Sequence, residues 1–337
     1  MLNYDTGTPP GRSGTAVTEY VATAATEPLF ELAEGIIWDD RAELVRWVDL
    51  WKGRVMAGHL ARGRLTDVTT VQFDQTTSAV ALADDGGMLV AAARGLATIS
   101  PSGVISVGPD LLGERANVRL NDGIVDPQGR FLIGTLSLVG ETGTEVLLRV
   151  SPDGTVETLR ESIRLSNGLA FSPDGSTLFH VDTFAGTVSR HSYGPGPFDR
   201  DEEWVTVLSE LPANPDGITV DADGNLWVAQ WGGSSVRHHA PTGELLDIVR
   251  VNAGQVSCPA FVGPGLDTLA ITTGQEGLET ITDETGAIFL ASVGTTGLPG
   301  YRWAGSTTTP YWAPSGSDDG APSGADNQAP SDAGKDN

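Results

Sequence analysis

Residues 118–136 read VRLNDGIVDPQGRFLIGTL. Asp126-Pro127-Gln128-Gly129 is turn chemistry: Pro presets one backbone dihedral, Gly tolerates the left-handed one, and Asp bonds its own backbone. It leads into the strand Arg130–Leu136. That turn needs no second polar knot, yet Asn121-Asp122-Gly123 stands just before the short apolar pair Ile124-Val125. The same unit of apolar segment, turn and apolar strand recurs as DDRAELVRWVD, DDGGMLVAAAR, DPQGRFLIGTL, SPDGSTLFHVD, DADGNLWVAQW and GPGLDTLAITT. One leucine from each second strand (Leu44, Leu89, Leu132, Leu178, Leu226, Leu269) gives gaps of 45, 43, 46, 48 and 43 residues. A period of about 40–50 residues with several short strands per unit is the signature of a β-propeller. Six units predict an all-β, six-bladed propeller, and no amphipathic helix interrupts the pattern.

The polar knot belongs to a second regularity. In four repeats a Gly stands nine or ten residues before the leucine: Gly35, Gly123, Gly168 and Gly217. The residues just before them are Glu34, Asp122, Asn167 and Asp216, all with side-chain oxygen. The same offset in repeats two and six gives Ala79 and Pro259. Asx-Gly pairs also build ordinary turns, but four in equivalent places, one of them Glu-Gly, point elsewhere. In a propeller the first strand of each blade lines the central channel, so equivalent positions face one another across the axis. Buried carboxylates must be paired or bind a cation. Carboxylate and amide oxygens without Cys or His suit a hard cation, Ca²⁺ before Zn²⁺, Mn²⁺ or Mg²⁺.

Composition bounds the rest. The 337 residues contain 43 Gly and 20 Pro, which favours many short strands. No apolar run is long enough to span a membrane, and the polar N-terminus has no secretory h-region. The single Cys258 excludes an intramolecular disulfide and fits a reducing compartment, so a cytoplasmic protein is expected. A formal charge of −24 disfavours nucleic acid and anionic membranes as partners. Residues 1–17 and 313–337, poor in anything to bury, are expected to be a disordered leader and tail around a propeller at 18–312.

LAEGIIWD–AELVRWVDLWKGRV (32–55), RLNDGIVDPQGRFLIGTL (119–136), SNGLAFSPDGSTLFHVDTFAGTV (166–188) and PDGITVDADGNLWVAQWGGSSV (215–236) together resemble the senescence marker protein/regucalcin/gluconolactonase/luciferin-regenerating-enzyme family. The resemblance covers residues 28–305. It implies a six-bladed propeller with one divalent cation on the axis, held by Glu34, Asn167 and Asp216. It implies that Arg119 and Asn121 contact substrate and that Asp216 is also the general base. Asp122, which the offset count singles out, would then sit behind the ligands, on a water. The activity implied is hydrolysis of sugar lactones to aldonic acids. Departures are Ile36, where many relatives have Pro, and the segment 137–146, which is hard to align with the loop that gives some relatives a further polar substrate contact, a role open to Glu141, to Glu145 or to neither. Another ester or organophosphate hydrolase of the same fold, and a noncatalytic Ca²⁺-binding propeller, are the alternatives.

Other chemistries find no motif: there is no G-x-S-x-G, HExxH, P-loop or GxGxxG. His180 is expected to pack in a strand, His238 and His239 to lie outside, and Cys258 to be a plain buried thiol. Trp47 and Trp227 read as core, Trp38 as packing beside Glu34, and Trp231 as the tryptophan placed to meet a sugar.

Overall fold

The computed structural model describes residues 17–279 and 281–313. The expected leader and tail lie outside the described residues, apart from Val17 and Ala313 at their inner ends. Among the described residues there is no helix, and so none long and apolar enough to cross a membrane. The fold is all-β and propeller-like.

Four antiparallel sheets of four strands follow one another along the chain. The first runs Ala33–Asp39, Leu44–Asp49, Arg54–Ala61, Arg64–Gln72. The second runs Thr77–Leu82, Met88–Ala92, Gly95–Ile99, Ile105–Asp110. The third runs Val118–Val125, Phe131–Ser137, Glu145–Val150, Val156–Ile163. The fourth runs Ser166–Phe171, Thr177–Asp182, Thr187–Ser192, Val205–Leu208. All six repeat leucines fall in second strands.

Six separate blades were expected, and the separation fails for the last two repeats. Their strands share one nine-stranded sheet, because Trp231, ending Leu226–Trp231, pairs with Gln255, opening Gln255–Val262. The first two described strands also join this sheet. Thr18–Val21 pairs in parallel with Leu245–Arg250, and Thr23–Ala24 pairs with Phe289–Ala291. The first strands of successive repeats touch in order, and Gln255–Val262 touches Ala33–Asp39. Two of these inner strands, Thr77–Leu82 and Ser166–Phe171, are buried on both faces, while last strands such as Arg64–Gln72 are polar and exposed. Trp47, Trp227 and Trp303 are fully buried between sheets.

Asn121-Asp122-Gly123 is not a turn before a strand. It lies inside the unbroken strand Val118–Val125, where two residues, Asn121 and Asp122, face the single Gly134. Every inner strand slips register at the matching place: Glu34/Ile37, Thr77/Ala79, Asn167/Leu169, Pro215/Ile218 and Val256/Pro259. These are β-bulges, which bend a strand and re-aim its side chains. The glycines serve close approach. A Cβ on Gly168 would stand 2.4 Å from the Asp216 carbonyl oxygen, and one on Gly217 2.7 Å from the Ser257 carbonyl oxygen.

Candidate active site

The bulged inner strands bring five of the expected side chains to one cavity of about 270 Å³, lined by Glu34, Arg119, Asn121, Asn167 and Asp216. Leu136, Leu165, Phe184 and Trp231 form apolar wall, and Ser137, Thr183, Asn214 and Glu276 complete its polar lining. Asp122 does not line the cavity; its Oδ1 accepts the Gly123 N–H at 2.8 Å. The bulge thus sends Asn121 and Asp122 to different surroundings.

A directed chain of hydrogen bonds crosses three repeats. Arg119 Nη1 donates to Asn121 Oδ1 (2.6 Å), and Asn121 Nδ2 donates to Asn167 Oδ1 (2.9 Å) and to the Ser166 carbonyl (2.9 Å). Asn167 Nδ2 donates to Thr183 Oγ1 (3.0 Å), and the Thr183 hydroxyl donates to the Pro215 carbonyl (2.8 Å). Its direction follows from proton inventory. A carbonyl only accepts, so Thr183 spends its one proton on Pro215 and can only accept from Asn167. The Asn167 amide is thereby fixed with its nitrogen toward Thr183 and its oxygen toward Asn121. The chain ends one residue before Asp216.

Electrostatics set these groups apart. Burial, then Asp216 and Asp122, hold the Glu34 carboxyl well above its ordinary range. Burial, then Asp122, does the same to Asp216, and burial pushes Asp122 up to about 6. Burial draws the Arg119 guanidinium down to about 10, against the pull of Glu276, Glu34 and Asp216, so it stays cationic at neutral pH. Arg119 Nε is buried without a hydrogen-bond partner among the described residues, and the guanidinium lies 5.3 Å from the centre of the Trp51 ring.

The expected metal centre does not take the form of an acidic cage. Among the described residues no three His, Cys, Asp or Glu side chains group to hold an ion. The oxygens of Glu34 and Asp216 with the amide oxygen of Asn167 nevertheless fit a divalent cation. The half-buried Glu34 and the buried Asp216 carboxylates repel each other and share Arg119 as counter-charge, and such a pair favours a bound cation.

Several other side chains lie elsewhere than expected, or play no part in the cavity. Glu145 is buried and accepts from Thr135 (2.9 Å) and Thr142 (2.8 Å), while Glu141 pairs with Arg164 (3.1 Å); neither lines the cavity. His238 and His239 are buried, not outside; His238 stacks on Trp227 at 4.0 Å and meets Asp247 and Asp221. His180 Nδ1 faces the Arg160 guanidinium at 2.9 Å, so its proton sits on Nε2, donated to Ser166 Oγ at 2.8 Å. That tautomer cannot activate the serine. Cys258 is buried, and burial and the neighbouring acids hold its thiol well above its ordinary value. Sequence reasoning missed Thr183 and Glu276. Thr183 directly follows a repeat motif, HVD; nothing in the spelling marks Glu276.

An all-β ring of sheets whose inner bulges gather acids, amides and one buried arginine at a single cavity defines a propeller-like protein with a small-molecule site. The chain belongs to the SMP-30/Gluconolactonase/LRE-like family, whose characteristic region matches residues 32–275. It is 31% identical over 303 residues to the pentonolactonase of Haloferax volcanii, covering 83% of this chain and 97% of that one. It is 32% identical over 301 residues to the L-arabinolactonase of Azospirillum brasilense, covering 85% and 96%. Among solved structures it resembles regucalcin from Agrobacterium tumefaciens, described as a calcium-binding protein, with TM-score 0.77, 26% identity and coverage of 86% and 99%.

Proposed function

We propose that this chain is a divalent-cation-dependent hydrolase that opens sugar lactones to aldonic acids. The observation that carries the reading is the convergence of Glu34, Arg119, Asn121, Asn167 and Asp216 on one cavity, in a chain whose relatives include two named lactonases. In this reading the nine-stranded sheet counts as two blades joined at Trp231–Gln255, so that 18–312 forms one six-bladed propeller. The one cysteine is free, which suits the cytoplasm.

Glu34, Asn167 and Asp216 hold the cation, Ca²⁺ first among the candidates. When bound, it offsets the repulsion between the two carboxylates and supplies Lewis-acid stabilisation to the lactone carbonyl oxygen. Arg119, with a free Nε and a guanidinium seated on Trp51, orients the substrate through its fixed fork of donors. Asn121 has both its polar atoms committed within the chain of hydrogen bonds, so it holds Arg119 and Asn167 in place and meets substrate at the cavity wall. Asp216 takes a proton from the attacking water. The water oxygen bonds the carbonyl carbon, the ring C–O bond breaks, and the proton passes to the departing ring oxygen. Asp122, beside these acids but off the cavity, adds negative charge and orders water.

The test is base consumption at constant pH with gluconolactone, pentonolactones, a simple aryl ester and a phosphotriester. Turnover of the sugar lactones well above the other two classes is expected. Preference for the phosphotriester, or no turnover of any, would replace the reading with one of its alternatives.

A further inference from the structure

The cavity has a charged acceptor outside the group of residues that surrounds the lactone carbonyl. Glu276 follows the strand Thr268–Gly274 and lines the cavity at its exposed side. Its Oε2 accepts the indole N–H of Trp51 at 2.8 Å. Its Oε1 has no hydrogen-bond partner among the described residues. The surrounding backbone is tied down on both sides: Gln255 Nε2 donates to the Glu276 carbonyl (3.1 Å), and the Gln275 N–H donates to the Glu31 carbonyl (2.8 Å). The side chain is exposed, and its bond to Trp51 together with the anchored backbone holds the carboxylate beside the cavity. The same Trp51 carries Arg119 on its face, so a rigid donor and a rigid acceptor stand about one indole apart.

We propose that Glu276 is a specificity-determining residue: its free carboxylate oxygen accepts a ring hydroxyl of the bound lactone and turns away lactones bearing a negative charge. The proposal rests on the lactonase reading above. A sugar lactone differs from a plain lactone by its hydroxyl donors, and donors need acceptors. Glu34 and Asp216 are committed at the carbonyl end, and Glu141 and Glu145 lie off the cavity. Glu276 is the remaining acid in the lining. A charged acceptor held at this point favours a ligand that brings the matching hydroxyl over one that lacks it. Like charges across a contact repel, so an anionic substituent at this position is disfavoured. The substrate class is therefore a neutral polyhydroxylated lactone.

The experiment compares wild type with Glu276→Gln on gluconolactone, on δ-valerolactone, which has no hydroxyls, and on saccharo-1,4-lactone, which carries a carboxylate. Glu276→Gln keeps the shape and an acceptor for Trp51, and the position is exposed, so the melting temperature stays unchanged. On gluconolactone KM rises about tenfold or more while kcat falls by less than about threefold, in line with loss of a hydrogen bond to a charged group. On δ-valerolactone KM is unchanged, and on saccharo-1,4-lactone kcat/KM rises. An unchanged KM for gluconolactone, or an equal loss on δ-valerolactone, overturns the role of Glu276 and leaves the lactonase reading standing. A wild type that hydrolyses neither these three nor a pentonolactone removes the lactonase reading, and this inference with it.

Discussion

Thr183 has one hydroxyl proton, and the whole orientation of the Asn167 amide follows from where that proton goes. Thr183→Val keeps the shape but leaves Asn167 Nδ2 and the Pro215 carbonyl unmet, so the amide is free to turn its nitrogen toward the proposed cation position. Partners that orient a metal ligand are commonly worth about 10–100-fold in affinity. Titration calorimetry with Ca²⁺ should show a loss of that order, and Thr183→Ser, which keeps the hydroxyl, should restore most of it. Equal affinity in the valine variant would mean that the amide is held by Asn121 alone. Asp216 has two duties in this account, and substitutions separate them. Asp216→Asn retains an oxygen but not the base, so turnover should fall about 10²–10⁴-fold even at saturating cation. Asn167→Ala should recover much of its activity as cation is raised. If both variants recover alike, Asp216 acts only as a ligand.

Each inner strand is a bulged strand, and the bulge decides which residues were legible. The leucine period depends on second strands, which are regular, buried and spaced by the repeat itself, so it placed all six. The Asx-Gly regularity was legible as position but not as cause. Turn chemistry and bulge chemistry spell alike, and only the register shows Asn121 and Asp122 facing Gly134 inside one strand. The glycines are required by neighbouring inner strands that approach too closely for a Cβ. Gly168→Ala would press its methyl against the Asp216 carbonyl oxygen, which is backbone and cannot yield. A cost of about 1–3 kcal/mol is expected from such overpacking, read as a lower denaturation midpoint. Gly196→Ala, with open space around it, should change nothing, and equal midpoints for the two would refute the close-approach argument. Glu276 and Trp51 were not legible at all. They lie in connections between strands, where no periodicity operates, and they meet across 225 residues of chain.

At the scale of the whole molecule, the first two described strands, Thr18–Val21 and Thr23–Ala24, complete the sheet that holds the last two repeats and so close the ring. It closes around an acidic interior that costs stability. Glu34, Asp216 and Asp122 all titrate above their ordinary values in the folded chain, Asp122 near 6. Above about pH 4 the unfolded chain has lost protons that the folded chain still holds, so stability falls as pH rises through this window. In chelator the melting temperature should therefore drop between about pH 4 and pH 7, and divalent cation should raise it most at the upper end. A chelated protein whose melting temperature rises steadily over that range would show that other groups dominate. The most direct measurement follows base uptake during gluconolactone hydrolysis in one sample, through chelation and re-addition of Ca²⁺, Mn²⁺ or Zn²⁺. The account predicts that turnover collapses on chelation and returns with the cation. Turnover that continues undiminished, with elemental analysis showing no retained metal, would contradict it.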